Sequence, residues 1–270
     1  MGLTVRWAVG SPMKRPLQEK SIRMFGASLL GARNVWPQAR RIVQVNNGPE
    51  SQRERLMQMA EQTGCEVADG KELLEEHPEI QRMEPYSHTG RAWWKFLPPR
   101  FSPDDHELFL DADNVIWKEP SNIAAWRRNP EAGVLAHCET WRKDGPWVRH
   151  FVGKFQPWLP DDLSLNSGLY GFGPGVPYDP PLVRESMPDD DISWGSDQGF
   201  VAMNWWRGGT HAVTMEEVII PFTVTQAEWM HRPETCGAHW ASHSVQKRDL
   251  WTRYENAVMD RIANEALRWG

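Results

Sequence analysis

At 270 residues, with 40% hydrophobic and 24% charged residues, the chain has the composition of one folded α/β domain with insertions, not of a disordered polymer. Its formal charge of −6 offers no broad basic face for nucleic acid or anionic lipid. Cys65, Cys138 and Cys236 are odd in number and far apart, no run reaches the ~18 apolar residues of a membrane span, and the opening residues lack a signal peptide's basic start; a cytoplasmic chain with reduced thiols is expected.

Residues 5–9 read as a first strand, ending at Gly10-Ser11-Pro12. Residues 17–33 predict a helix with Ile22, Phe25 and Leu29 on one face. Residues 41–45 form a second strand, stopped by Asn46-Asn47-Gly48-Pro49. Ser51 and Glu54 predict a capping box for a helix through Ala60, with Gly64 ending it. Residues 65–68 are a third, short strand. A helix is expected around 90–97, closed by Pro98-Pro99, and residues 107–110 are a fourth strand. The βαβα rhythm predicts a mostly parallel sheet with helices on both faces.

Beyond residue 113 the rhythm changes. Ser121 starts a short helix to Asn129, and residues 133–138 and 167–172 read as strands. Two long irregular stretches, 139–166 and 173–195, have the length that usually carries function. Ser196 caps a helix through Trp206. Residues 213–224 read as a strand interrupted at Pro221. In residues 249–268, Leu250, Tyr254, Val258 and Ile262 recur every four positions, which predicts a helix packed outside the sheet. The 16 tryptophans exceed any ordinary share, and a flat apolar ring with one N–H donor suits sugar rings as well as cores. Most are expected to be structural, Trp205 and Trp206 among them. Trp141, Trp147 and Trp158 are candidates to stack on an acceptor sugar, and Arg142, Lys143, Arg149 and Lys154 to meet an anionic one.

The strongest chemical signal is Glu107-Leu-Phe-Leu-Asp111-Ala-Asp113-Asn-Val, an apolar strand running into two carboxylates. Positions i and i+2 of an extended chain share a face, and two hard oxygen ligands at a strand end suit Mg²⁺ or Mn²⁺. The bland alternative is a pair of capping acids. Asp111-Ala-Asp113-Asn-Val also fits the D-x-D-x-[TV] signature of the haloacid-dehalogenase type, with Asp111 as nucleophile and Asp113 as general acid. That signature sits on the first strand of its core, whereas three strand–helix units precede it here. Its later partners have only Asp189-Asp190-Asp191 and Lys143 or Lys154 as candidates. A third reading is a non-catalytic, Trp-rich carbohydrate-binding module.

Several blocks in order resemble the GT-A glycosyltransferases, especially the retaining family-8 type (glycogenin-like and lipopolysaccharide-galactosyltransferase-like enzymes). They are Arg91-Ala-Trp-Trp-Lys95-Phe-Leu-Pro98, Leu108 to Val115, Asn166-Ser-Gly168-Leu-Tyr-Gly, Ser196-Asp197-Gln198-Gly-Phe and Cys236-Gly-Ala-His239-Trp-Ala-Ser. The resemblance implies a single GT-A domain over 1–270: a Rossmann-like, mostly parallel central sheet flanked by helices, with a smaller acceptor-side sheet and long insertions. Residues 1–113 would be the nucleotide-binding half and 114–270 the acceptor and catalytic half. It implies Mn²⁺ or Mg²⁺ held by Asp111, Asp113 and His239. Donor contacts would come from Ala8, Val9, Gly10, Arg91, Lys95, Asp111, Ala112, Asn166 and Gly168. Gln198 would lie under the sugar ring near the anomeric carbon, and Asp197 would hold sugar hydroxyls. The donor would be a nucleotide sugar, UDP-linked, and the acceptor a carbohydrate, glycolipid or protein.

The chain departs from that pattern in two places. Lys247 and Trp251 stand in for the family's terminal Lys-Pro-Trp at a different spacing, and Gly10-Ser11-Pro12-Met13 lacks the acidic base-reading residue. Cys236, His239 and His243 also spell C-x₂-H-x₃-H, a zinc-like spacing without a fourth ligand.

Overall fold

The computed structural model describes residues 1–10, 16–46, 48–76, 94–96, 100–138, 165–177, 196–241 and 245–269. In chain order the elements are β1 (Leu3–Val9), α1 (Glu19–Val35), β2 (Arg40–Val45), α2 (Glu50–Gln62), β3 (Glu66–Asp69), α3 (Gly70–Glu76), a 3₁₀ turn (Trp94–Phe96), β4 (His106–Leu110) and β5 (Asn114–Ile116). There follow α4 (Ser121–Arg128), β6 (Val134–Cys138), β7 (Leu165–Phe172), α5 (Ser196–Gly208), β8 (Gly209–Val213), β9 (Val218–Ile219), α6 (Val224–Ala227), a second 3₁₀ turn (Glu228–His231), β10 (Gly237–His239) and α7 (Val245–Trp269).

β1 is buried along nearly its whole length, which suits a central strand covered on both faces. It lies between β2 and β4, parallel to both, in a sheet of order β3-β2-β1-β4-β7-β6-β8. β7 alone runs antiparallel to its neighbours β4 and β6. The order reverses between β1 and β4, and such a switch opens a crevice beyond the C-terminal ends of the two strands. A second sheet, β5-β10-β9, is smaller. The mostly parallel sheet with a small companion is the architecture expected.

α1 joins the two cores. Phe25, Leu29 and Ala32 pack on the main sheet, while Met24 and Ala27 join Val115, Trp117, Ile219, Trp240 and Trp251 around the small one. Contact between α1 and β5 is closest at Gly31, where a β-carbon would stand 2.1 Å from the Ile116 carbonyl oxygen. Ser28 ties the same surfaces: its hydroxyl accepts from Trp7 Nε1 (2.9 Å) and donates to the Asn114 carbonyl (2.6 Å).

Four local expectations are corrected. α2 starts at Glu50 after Pro49, with no side-chain cap; Pro49, at φ −57°, turns the chain into the helix, so Ser51 already lies inside it. Residues 213–224 are not one strand. A turn at Thr214–Glu217 separates β8 from β9, which belongs to the other sheet, and Thr223 with Gln226 forms a reciprocal capping box for α6. Glu217 fixes that turn by accepting from Ser121 Oγ (2.6 Å) and Asn122 Nδ2 (2.7 Å). The described part of 90–97 is a 3₁₀ turn. Lastly, α7 begins at Val245 and packs on α1 and the small-sheet core, with Trp251 against Trp240 at 5.6 Å. Trp251 is therefore a core residue. The side chain of Lys247 lies outside the described residues.

Candidate metal centre and donor crevice

β4 delivers Leu108, Phe109 and Leu110 into the core and stops. Asp111 to Asn114 is a turn, closed by Asn114 N–H donating to the Asp111 carbonyl at 2.9 Å. The carboxylates of Asp111 and Asp113 thus meet across a turn and not by strand alternation, which corrects the extended-chain expectation. β5 follows at once and pairs antiparallel with β10, setting His239 opposite Asn114. Trp240 N–H donates to the Asp113 carbonyl at 2.8 Å. Backbone pairing alone therefore brings His239 to the carboxylates.

His239 Nε2 lies 3.2 Å from Asp113 Oδ1 and 3.9 Å from Asp111 Oδ2. One ligand atom from each of the three residues lies within 4.8 Å of the others. His239 is 5% exposed at its side chain, Asp113 20% and Asp111 31%, so the cluster is walled on one side and open on the other. Gly168 makes room for the imidazole: a β-carbon there would sit 2.3 Å from His239 Cε1 and 2.8 Å from Nδ1. Two carboxylate oxygens and one imidazole nitrogen form a donor set that suits Mn²⁺ or Mg²⁺ and leaves positions for ligand oxygens. The residues fit a divalent ion.

β7 supplies the floor. Gly168 carbonyl accepts from Asp111 N–H (2.8 Å) and Asn114 Nδ2 (3.1 Å), while Gly168 N–H donates to Asn166 Oδ1 (2.7 Å). Lys95, in the first 3₁₀ turn, donates to Ser167 O (3.2 Å) and Ser167 Oγ (3.1 Å) and lies 3.4 Å from Asp111 Oδ1. Arg6 pairs with Phe109 in the parallel register of β1 and β4, so Ala8 and Val9, still paired with β2, and Gly10 after them stand at the level of the Asp111 turn. Ala112 is half-buried in that turn. Gln198 lies in the first turn of α5, which packs on β6 and β7; its Oε1 is buried with no hydrogen-bond partner among the described residues.

The structure thus brings together Asp111, Asp113, His239, Lys95, Asn166 and Gly168. Arg91, His243, Trp141, Trp147, Trp158, Arg142, Lys143, Arg149, Lys154 and Asp189-Asp190-Asp191 lie outside the described residues, as does the side chain of Asp197. Cys236 is not part of the cluster with His239; its Sγ donates to the Glu234 carbonyl at 3.2 Å. Burial pushes its thiol up to about 11, which suits a core residue.

Sequence reasoning missed Ser167, Asn114 and His137. Ser167 and Asn114 stand inside recognised motifs, and their signal was a polar residue next to an apolar run. His137 lies within the apolar run Val134–Cys138, fully buried. Its Nε2 bonds the Val218 carbonyl at 2.8 Å, linking the two sheets. Burial, with His239 nearby, holds its imidazole down at about 3, so it is neutral.

No protein-family model matches the sequence, and no curated protein matches it. Among solved structures the chain is similar to the galactosyltransferase LgtC in complex with donor and acceptor sugar analogs, at 12% identity and a TM-score of 0.52 over 95% of each chain. It is also similar to the apo form of the glycosyltransferase GlyE of Streptococcus pneumoniae TIGR4, at 14% identity and a TM-score of 0.54, covering 98% of this chain and 62% of that one. At such identities the likeness is one of fold. With its strand order, its small second sheet and these neighbours, the chain has the GT-A fold.

Proposed function

We propose that the chain is a glycosyltransferase that moves a hexose from a nucleotide sugar, UDP-linked, to a carbohydrate, glycolipid or protein acceptor with retention of configuration. The observation that carries this reading is the meeting of Asp111, Asp113 and His239 at the C-terminal edge of the β1–β4 crevice. The motif's position on the fourth strand, beside the antiparallel β7, speaks against the phosphohydrolase alternative.

When bound, a divalent ion such as Mn²⁺ or Mg²⁺ supplies positive charge at the departing diphosphate. Ala8, Val9, Gly10 and Ala112 line the donor side of the crevice. Lys95 and Arg91 pair with phosphate or sugar oxygens. Asn166 shapes the Gly168 backbone beneath the donor and reaches sugar hydroxyls. Gln198 offers a carbonyl oxygen under the ring, where positive charge develops at the anomeric carbon. Asp197 holds sugar hydroxyls. Among the described residues no helix is long and apolar enough to cross a membrane. Cys65, Cys138 and Cys236 are buried and in no disulfide among the described residues, which fits a reducing, cytoplasmic location.

Incubating the protein with UDP-hexoses in Mn²⁺ or in chelator, and measuring UDP release, tests the reading. Sugar-dependent, chelator-sensitive release supports it. Metal-dependent hydrolysis of a phosphate monoester with no turnover of any nucleotide sugar contradicts it, as does sugar binding indifferent to chelator and without turnover.

A further inference from the structure

The two oxygens of Asp111 have different neighbours. Oδ2 belongs with His239 Nε2, 3.9 Å away, on the side shared with Asp113. Oδ1 lies 3.4 Å from the Lys95 ammonium. That ammonium is anchored at both ends of its residue. Ser167 accepts from Nζ through its carbonyl and its hydroxyl, at 3.2 and 3.1 Å. The Lys95 carbonyl accepts from Arg6 Nη2 at 3.0 Å, and Arg6 is itself fixed by Glu107 at 2.8 Å. The Lys95 side chain is 8% exposed, so little water screens its charge from Asp111.

We propose that Lys95 is a built-in counter-cation that shares Asp111 with the divalent ion, so that the bare site binds metal loosely and tight binding requires the nucleoside diphosphate. This rests on the metal-dependent reading above. Among the described residues, two carboxylates and a divalent ion sum to zero charge, and the ammonium makes the sum positive. The anchors on Lys95 keep the ammonium from swinging away as the ion enters, so two cations contend for one carboxylate. The negative charge of a diphosphate relieves that contention by engaging both. Ion and nucleotide each then raise the affinity of the other, by the same factor.

The test is Mn²⁺ titration, by calorimetry or electron paramagnetic resonance, of nucleotide-free and UDP-saturated protein. The variants are Lys95→Met, Lys95→Gln and Lys95→Arg. Removing the charge should tighten bare Mn²⁺ binding about ten-fold or more, as expected for like charges near a carboxylate at a partly screened site. The same variants should weaken UDP binding in the presence of Mn²⁺, and Lys95→Arg should stay near wild type in both. The opposite signs separate this role from a structural one, because a damaged site would lose both affinities. Lys95→Gln carries the test if Lys95→Met lacks a native circular dichroism spectrum. Bare Mn²⁺ affinity that is unchanged or weaker in the neutral variants overturns the proposal. Wild-type protein that binds no Mn²⁺ with or without UDP overturns the metal-site reading itself, and the proposal with it.

Discussion

His239 Nε2 stands 3.2 Å from Asp113 Oδ1 because β10 pairs with β5, the strand that begins one residue after Asp113. Each residue is positioned by backbone before any side chain acts: Asp113 by the turn after β4, and His239 by its register opposite Asn114. A site built this way keeps its shape without a ligand, at the cost of holding two carboxylates close together.

That cost yields a prediction. Asp111→Asn or Asp113→Asn should abolish divalent-dependent UDP binding. The metal-free Asp113→Asn protein should melt no lower than wild type, since that change removes repulsion between like charges, whereas Asp111→Asn also takes away the carboxylate that faces the Lys95 ammonium. Paired titration and melting curves check it. Metal-dependent affinity intact in both variants would remove these residues from the site.

Gly168→Ala tests the room left for the imidazole. A methyl group 2.3 Å from His239 Cε1 forces the ring or the β7 backbone to move. The expected penalty is ~1–3 kcal/mol of stability, typical of overpacking, together with weaker Mn²⁺ binding in the presence of UDP. Denaturant melts and the same titration measure both. A neutral substitution would mean that the imidazole has another place to sit.

Much of the fold was legible because its signals were local. The apolar runs of β1, β2 and β4 and the face formed by Ile22, Phe25 and Leu29 on α1 all follow from composition and period. The small sheet was expected only through the family resemblance, not from its own strands. Asn114–Ile116 and Val218–Ile219 are too short to show alternation, and they become strands only by pairing with β10. The residues of the metal centre were legible as types in a familiar order, yet their geometry was not. The carboxylates converge across a turn, and Ser167 meets Lys95 through a long-range contact that no spacing encodes. Ser51 with Glu54 misled because Pro49 had already turned the chain into its helix.

His137 predicts a pH dependence. Burial holds its folded-state value down at about 3, whereas an unfolded histidine takes a proton near pH 6.5. Between those values the unfolded chain binds the extra proton, so stability is full above about pH 6.5 and is lost as pH falls towards 3. The loss approaches ~1.4 kcal/mol per pH unit within that window. His137→Gln, which can keep a donor to the Val218 carbonyl, should flatten the slope between pH 6 and pH 4, on the order of one unit of linkage. Urea unfolding across that range gives the slope, and an unchanged slope would mean that His137 does not titrate as buried.

Gln198→Ala should lower kcat far more than it weakens UDP binding, because its contact matters most as charge develops at the anomeric carbon. Its melting temperature should stay near wild type. A helix-cap role for this turn of α5 predicts otherwise: Ser196→Ala would cost ~1 kcal/mol and Gln198→Ala would leave turnover untouched. Turnover beside melting temperature separates the two.

The most direct measurement of the central claim is the melting temperature of the wild-type protein with UDP-, GDP- and other nucleotide sugars, each with and without Mn²⁺. A ligand that binds only the folded state stabilises it by mass action, by ~2.7 kcal/mol at a hundred-fold excess over Kd, and so raises the melting temperature. The account predicts a clear rise with a UDP-sugar and Mn²⁺ together, and little with either alone. A rise that ignores the metal, or no rise with any nucleotide sugar, would contradict a metal-dependent donor site at Asp111, Asp113 and His239.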